Sequence, residues 1–584
     1  MPAFLWRNGG AGISLDRQRP RFIDVGLGRD SEGLEATAAM DTHEVFNQAP
    51  PFGSLNLITS DRPLLDALAA NGVEKPQESL AGFGEDWGSA ERLELARLAN
   101  DNPPKLRTHD PRGYRIDAVE FHPAYHALMR ASMADGLHAS TWDRAEPARP
   151  TGQGHVERAA RLYTIAGVES GHVCPMTMTH ASVAALAAAP NRLTEWLPKI
   201  RSRTYDLRFI PFWEKTAVTL GMGMTEKQGG TDVRANTTRA EPSGGDEYAL
   251  TGHKWFMSAP MCDAFLVLAQ APGGLTCFLV PRFRPDGALN GLRLQRLKDK
   301  LGNRSNASSE VEFDEAFAWR IGEEGRGVRT IINMVQLTRL DCAVASAGLV
   351  RMGLRLAHHH ARHRTVFQKK LVNQPAMQMV LADLALENEA MTALSLRLAA
   401  SFDRASGDEA EAAFGRFVTP AAKFGICKAA PNLLYEAMEA LGGNGYVEES
   451  PLPRLYREAP VNAIWEGSGN VIALDLLRAE NREPEAAASV LQGLMAEAGG
   501  LPGASEAARD IVLALRSAEV EAKARLVADR LFTLAAAAAL ARSAPPEIAQ
   551  AYALTRLAAP SRMIGANDPG DAVKPLLDRV FMPI

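Results

Sequence analysis

The spacing of apolar residues changes twice along this chain, from three-and-four to two and back again, and few folds accommodate that order. From about Ser60 to Trp213 apolar residues recur at helical spacing, as in Glu91-Arg-Leu-Glu-Leu-Ala-Arg-Leu98, with turns expected at Pro103-Pro104 and His122-Pro123. From about Ala217 to Gly327 the period becomes two. Tyr248-Ala-Leu250, the run from Ala264 to Ala269, Thr276-Cys-Phe-Leu-Val280 and Val311-Glu-Phe313 read as strands, separated by turn signals at Ser243-Gly-Gly-Asp246, Ala271-Pro-Gly-Gly274 and Pro285-Asp-Gly287. Helical spacing then returns over residues 328–363, 377–405 and 421–441, the last stopped by Gly442-Gly443. Beyond Arg478 the chain is Ala-rich and helical, with breaks at Gly499-Gly500 and Pro502-Gly503. The expected fold is therefore mainly α with a central antiparallel β-domain. Its parts are a flexible extension (1–45), a helical domain (46–216), the β-domain (217–327), a helical bundle (328–480) and an appended C-terminal helical domain (481–584).

A length of 584 residues suits several such units and a sizeable buried site. With 46% hydrophobic and 23% charged residues the chain reads as soluble and globular, and no apolar run reaches the about 20 residues of a membrane-spanning helix. Residues 1–40 lack the apolar core of a secretory signal, and Met40 is an alternative start. Five cysteines, an odd number without a C-x-x-C pair, point to a reducing cytoplasm and to neither a disulfide framework nor a zinc site. A net charge of −5 offers no overall attraction for nucleic acid, so any DNA contact needs a local patch.

Three segments place hydroxyls, glycines and backbone donors where regular structure breaks. Gly221-Met-Gly-Met-Thr-Glu-Lys-Gln-Gly-Gly-Thr-Asp232 could fold as a polar nest for a flavin edge or a pyrophosphate, or equally as a glycine-rich strand connection. Gly252-His-Lys-Trp-Phe-Met-Ser258 alternates so that Phe256 and Ser258 share a face, suited to backing a planar ring or to a core strand. Ile464-Trp-Glu-Gly-Ser-Gly-Asn470 holds a glutamate between an aromatic residue and a flexible turn, either aimed at substrate or serving a helix start capped by Ser468.

Taken with Arg364-x-x-Phe367 and Leu441-Gly-Gly-Asn-Gly-Tyr446, these segments occur in the order and at about the separations of the acyl-CoA dehydrogenase family, which the chain resembles over roughly residues 120–480. The resemblance implies helical, β-barrel-like and four-helix-bundle parts and an FAD cofactor. It also implies that Met224, Thr225, Gly230 and Thr231 line the flavin and its phosphates, that Phe256 and Ser258 lie against the isoalloxazine, and that Ile464, Trp465, Gly467, Ser468 and Asn470 close the site. Arg364, Phe367 and Gln374 would reach the FAD of a neighbouring subunit in a homodimer or homotetramer, although the family's glycine after Phe367 is here Gln368. Glu466 corresponds to the catalytic base that removes the α-proton of an acyl thioester, its pKa raised by burial, and its backbone N–H corresponds to a donor for the thioester oxygen.

Within the family the likeness is strongest to flavoproteins of the adaptive response to DNA alkylation. It rests on Phe46-Asn-Gln48, Phe121-His-Pro123, Lys298-Asp-Lys-Leu-Gly-Asn-Arg-Ser-Asn-Ala307 and the extra C-terminal helices. The expected function is accordingly an FAD protein that binds double-stranded DNA and protects it, with weak acyl-CoA dehydrogenase activity. The alternative is an ordinary dehydrogenase acting on a short or branched acyl-CoA. Arg478, Lys523, Arg525 and Arg530 are the candidate DNA contacts, in a tail that is close to neutral. His359 and His363, one turn apart in His358-His-His-Ala-Arg-His363, lack acidic or cysteine neighbours, and no metal is expected.

Overall fold

The computed structural model describes residues 42–143, 154–560 and 569–580, so the expected extension at 1–41 lies outside the described residues. The N-terminal block contains α1 (Arg62–Ala70), α2 (Ala90–Asp101), α3 (Pro123–Ala134), α4 (Gly154–Val168), α5 (Val173–Leu186) and α6 (Pro190–Ile200). It is not helical throughout. An antiparallel hairpin, β1 (Lys105–His109) and β2 (Arg115–Glu120), lies between α2 and α3. The alternation in Lys105-Leu-Arg-Thr-His109 was there to be read, but its burial contrast is shallow, with every second residue only half-buried. His122-Pro123, expected as a turn, starts α3, with His122 at the cap position and Pro123 in the first turn, where its missing N–H costs nothing.

The middle block has seven strands: β3 (Leu220–Gly223), β4 (Arg239–Gly244), β5 (Glu247–Ser258), β6 (Ala264–Ala271), β7 (Gly274–Pro281), β8 (Leu292–Leu297) and β9 (Ser308–Ile321). They run in the order β3-β5-β4-β6-β7-β9-β8, with further pairings of β3 to β6 and β5 to β9 that curl the sheet towards a barrel. Pairing is antiparallel except where β3 runs beside β6 and β4 touches it at one point. Strands β3 and β4 are short or exposed on one edge, so no alternating apolar signal announced them, whereas the alternation of Leu292-Arg-Leu294 in β8 was there to be read.

The third block is built on α7 (Gly327–His363), buried along most of its length between a short hairpin, β10 (Thr365–Val366) with β11 (Lys369–Lys370), and the β-domain. It packs with α8 (Pro375–Arg404), α9 (Glu409–Glu439) and α10 (Pro451–Asn462), and α11 (Gly469–Arg482) packs on α9. Arg158 on α4 grips Asp341 on α7 through two parallel hydrogen bonds of 2.6 and 2.8 Å, tying the N-terminal block to the bundle.

The C-terminal helices α12 (Pro484–Ala498), α13 (Ala504–Leu515) and α14 (Ala524–Ser543) do not have a core of their own. The Ala-rich face of α14 packs on α8 and α9 within the same apolar cluster as the bundle, and a Cβ at Gly425 on α9 would lie 2.2 Å from the Phe532 ring. Alanine composition revealed the helix but not its partner, because small side chains let backbones approach in many arrangements. Among the described residues, no helix is long and apolar enough to cross a membrane.

Candidate active site

Glu466 lies in the loop between α10 and α11, at φ 56°, a left-handed conformation that a non-glycine residue holds only under restraint. The restraint comes from the bundle. Lys423 on α9, 1% exposed, donates its Nζ to the carbonyl of Trp465 at 2.8 Å and also to that of Gly467. Arg339 on α7 donates to the Glu466 carbonyl at 3.0 Å while paired with Asp475 at 2.7 Å. Trp465 donates its ring N–H to Asn462, which donates onward to Ser346 on α7. Gly467 follows at φ 106°, and a Cβ there would crowd Ile472 at 3.1 Å. Three carbonyls are thereby drawn into the bundle. Among the described residues no acceptor faces the Glu466 N–H.

The Glu466 carboxylate accepts a 2.7 Å hydrogen bond from the Thr338 hydroxyl. Burial pushes its pKa up, against the opposing influence of Thr338 and of the Arg339 and Lys423 charges. The expected upward shift is therefore present, with desolvation as its main cause. Removing the Thr338 donor would raise it further. A hydrogen bond to a charged group contributes about 1.5–3 kcal/mol, and one pKa unit corresponds to about 1.4 kcal/mol. Thr338→Val is thus expected to move the acidic limb of a pH–rate profile upward by about one unit, with the rate falling as pH drops through the new pKa. An unmoved limb would show that this hydroxyl does not tune the base.

The β-domain supplies the facing wall. Burial pushes the Cys174 thiol on α5 up to about 11, while the Lys300 charge and a hydrogen bond with Ser258 act to lower it. Trp465 and Met224 pack on the same β-domain core, and Met222 pairs in register with Ser258. Phe256 stands 49% exposed on the Ser258 side of β5, and Ile464 is 65% exposed on the loop. Lys298 lies over the rings of Trp255 and Phe256, at 3.3 and 4.6 Å.

The glycine-rich segment folds around a buried carboxylate. Glu226 accepts from Lys254 Nζ at 2.7 Å, from the N–H groups of Thr237 and Thr238 at 2.7 and 3.2 Å, and from Gln228. This leaves Met224, Thr225 and Gly230 half-buried and Thr231 exposed at the rim, and a Cβ at Gly230 would lie 2.3 Å from the Thr225 hydroxyl oxygen. Glu226 and Lys254 lie inside two of the sequence motifs, where neither has a role that its neighbours reveal. Thr338, Arg339 and Lys423 were missed, since each is a polar residue within a long apolar helix with no local motif around it.

The remaining candidates are scattered. Ser468 occupies the cap position of α11, yet its side chain makes no capping hydrogen bond. Arg364 ends α7, and Gln374 donates its amide to the Val366 carbonyl at 2.9 Å, bracing the short hairpin. Phe367 and Gln368 form the tip of that hairpin, both at positive φ, and Phe367 is 93% exposed. Arg478 pairs with Asp475 and Arg530 with Asp510. Arg525 reaches Asn470 at 3.4 Å and lies over Phe424, close to Lys428. His359 and His363 bond to the carbonyls of Pro50 and His359 respectively. No cluster able to hold a metal occurs among the described residues.

Residues 47–207 match the adaptive response protein AidB N-terminal domain, 221–316 the acyl-CoA dehydrogenase middle domain and 325–480 its C-terminal domain. The AidB protein of Escherichia coli strain K12, whose acyl-CoA dehydrogenase name is provisional, is 47% identical over 512 residues, 88% of this chain and 94% of that one. The chain belongs to the acyl-CoA dehydrogenase family. With membership comes the class of enzyme, an FAD-dependent oxidoreductase, and the walls just described suit that cofactor: open aromatic and aliphatic faces, hydroxyls at the rim and a buried carboxylate between them. Acyl-CoA dehydrogenase family member 11 of Caenorhabditis elegans is 32% identical over 458 residues, 74% of this chain and 72% of that one. Its solved structure in complex with C11-CoA superposes with a TM-score of 0.79 at 27% identity, covering 91% of this chain and 96% of that one.

Proposed function

We propose that this AidB-like member of the acyl-CoA dehydrogenase family keeps a working dehydrogenation site of low turnover and also binds duplex DNA, limiting its alkylation. The observation that carries the enzymatic half is the Glu466 loop. Its carboxylate rests on Thr338, while its N–H is left without an internal acceptor. The carboxylate takes the α-proton of an acyl thioester, and the backbone N–H of the same residue holds the thioester oxygen, so one strained residue supplies both base and oxyanion donor. Bound FAD supplies the hydride acceptor. Trp465 and Phe256 exclude water from the reacting carbons, and Ser258 and Thr225 offer hydroxyls to the cofactor's polar edge. The C. elegans relative solved with C11-CoA supports an acyl-CoA as the substrate class.

A self-associated form, dimer or tetramer, is supported by the exposed Phe367 at the hairpin tip, a rigid anchor for a neighbouring subunit. Gln368 holds the left-handed φ that glycine would take more easily, so its presence need not alter the shape of the tip. The DNA reading rests on the likeness to AidB together with the crowding of Arg525 and Lys428 beside Asn470, where desolvation and the Arg525 and Lys423 charges depress the Lys428 pKa. Such a local concentration of positive charge favours a phosphate. Arg478 and Arg530 are already paired with carboxylates.

Duplex-DNA affinity across a salt series, run beside turnover of a branched short-chain acyl-CoA with an artificial electron acceptor, tests both halves. Salt-sensitive binding with slow turnover is the expected result. Brisk turnover without binding would make the protein an ordinary dehydrogenase. The double variant Lys523→Ala, Arg525→Ala is expected to reduce the salt slope of binding by about two, roughly one for each lost phosphate contact. Single Arg478→Ala or Arg530→Ala changes should leave it nearly unaltered. Unchanged slopes throughout would move the contact elsewhere.

A further inference from the structure

A second cavity, of about 100 Å³, lies between β2, α3, the segment leading to β3 and the end of β7. One of its lining residues is Thr219, next to the start of β3, whereas Met224 follows the end of the same strand. At about 3.3 Å per residue the two are separated by roughly 16 Å. Arg282 lines the cavity and is 4% exposed. Its guanidinium donates through one nitrogen to the Asp117 carbonyl, while Nε and Nη1 have no partner among the described residues. A buried guanidinium with two unmet donors is costly unless something accepts from them.

Each acidic group nearby is paired with a cation, although Asp117 Oδ1 has no partner among the described residues. Asp263 pairs with Lys215 at 2.7 Å, Asp206 with Arg208 at 2.7 Å, and Asp117 with Arg115 at 2.7 Å from a left-handed φ of 45°. Arg282 is thus the cation of this cavity that retains unmet donors among the described residues. The remaining lining is apolar and aromatic, with Phe121, Met129, Phe209 and Phe283, and Arg282 itself lies 5.2 Å from the centre of the Phe209 ring. Tyr205 and His126, joined by a 3.0 Å hydrogen bond, complete one polar wall. The Nε and Nη1 hydrogens point away from one another, and each forms a planar pair only with a hydrogen of Nη2, whose second hydrogen lies beside one of them; such a pair suits a carboxylate or a phosphate, and the aromatic lining distinguishes between them by favouring an anion with an apolar body.

We propose that this cavity is a second binding site, separate from the flavin site, for a small aliphatic carboxylate held through Arg282. Burial holds the Arg282 pKa down at about 10, still charged at neutral pH, so the site keeps its positive charge when empty of ligand. The size of the cavity limits the ligand to a few heavy atoms.

The test is calorimetric titration of the FAD-loaded full chain with sodium propionate, and separately with inorganic phosphate, at constant ionic strength while flavin absorbance is followed. Saturable propionate binding without a flavin spectral change is expected, weakened tenfold or more by Arg282→Gln. Ile210→Trp, which fills the cavity while leaving Arg282 in place, should have the same effect and covers the case in which Arg282→Gln fails to fold. Phosphate binding as tightly as propionate would overturn the carboxylate assignment. A flavin spectral change on binding would place propionate in the flavin site and overturn the second site. Absence of saturable binding, or binding indifferent to Ile210→Trp, would leave Arg282 a merely hydrated arginine and overturn the site altogether.

Discussion

Glu466→Gln is expected to lower acyl-CoA turnover by about 10²- to 10⁴-fold, the usual contribution of a positioned general base, while FAD stays bound. The substitution is isosteric. Glutamine can still accept from Thr338, and the three carbonyls held by Lys423 and Arg339 belong to the backbone, so the loop keeps its shape. What is lost is the capacity to take a proton. The loss should appear in kcat, with the flavin absorbance spectrum retained, because the backbone N–H that would hold the thioester oxygen is unchanged. Release of flavin from this variant would instead mean that the carboxylate is a structural element of the loop, and the proposed base would have to be sought elsewhere.

Lys254→Met is expected to cost about 3–5 kcal/mol of folding stability, the penalty for leaving one member of a buried ion pair without the other. It should also release FAD. Both side chains of the Glu226–Lys254 pair are fully buried, and the 2.7 Å contact is the only full positive charge facing the carboxylate among the described residues. Burial alone would raise the Glu226 pKa, yet Lys254 and the Thr237 and Thr238 donors hold it well below the usual carboxylate range. Burial lowers Lys254 to about 8, still mostly protonated at neutral pH. Because the Glu226 pKa is depressed in the fold, its contribution is present above the ordinary carboxylate pKa and disappears only as pH falls through the lower folded value. Chemical denaturation at pH 7 measures the cost. Adding Glu226→Gln to Lys254→Met should recover part of it, since the remaining amide can be satisfied by neutral donors. A single variant as stable as the wild type would show that the carboxylate finds another partner or takes up a proton at little cost.

Several features of the site were legible without coordinates because they are local. The turn after Glu466 is announced by Gly-Ser-Gly, and the shared face of Phe256 and Ser258 follows from alternation along one strand. Other features were not local. Thr338 and Arg339 are one short polar interruption in a 37-residue helix, and nothing within a window of that helix shows that Glu466, well over a hundred residues later, will rest on them. The same applies to Lys423, which by its composition alone belongs on a solvated face and is instead buried beneath the loop. The ion pairing of the candidate DNA contacts was illegible for a related reason. Residue type makes Arg530 one of the tail's cations, but Asp510, which pairs with it, comes from another helix.

The order of helical, strand and helical blocks can be read from the residues alone, because hydrophobic period is a property of neighbouring residues and fixes which face each element buries. The residues also determine the chemistry available at the loop, since the carboxylate, the hydroxyls and the glycines are set by residue type. Which polar groups meet across elements depended on the packing: Thr338 beneath Glu466, Lys254 against Glu226, and Arg282 in a cavity with two of its nitrogens unmet among the described residues. The packing also decided that the Ala-rich tail shares the bundle's core. The physical reason is that a buried charge is tolerated only where partners from distant segments converge, and that convergence depends on how whole elements pack, which no stretch of neighbouring residues encodes.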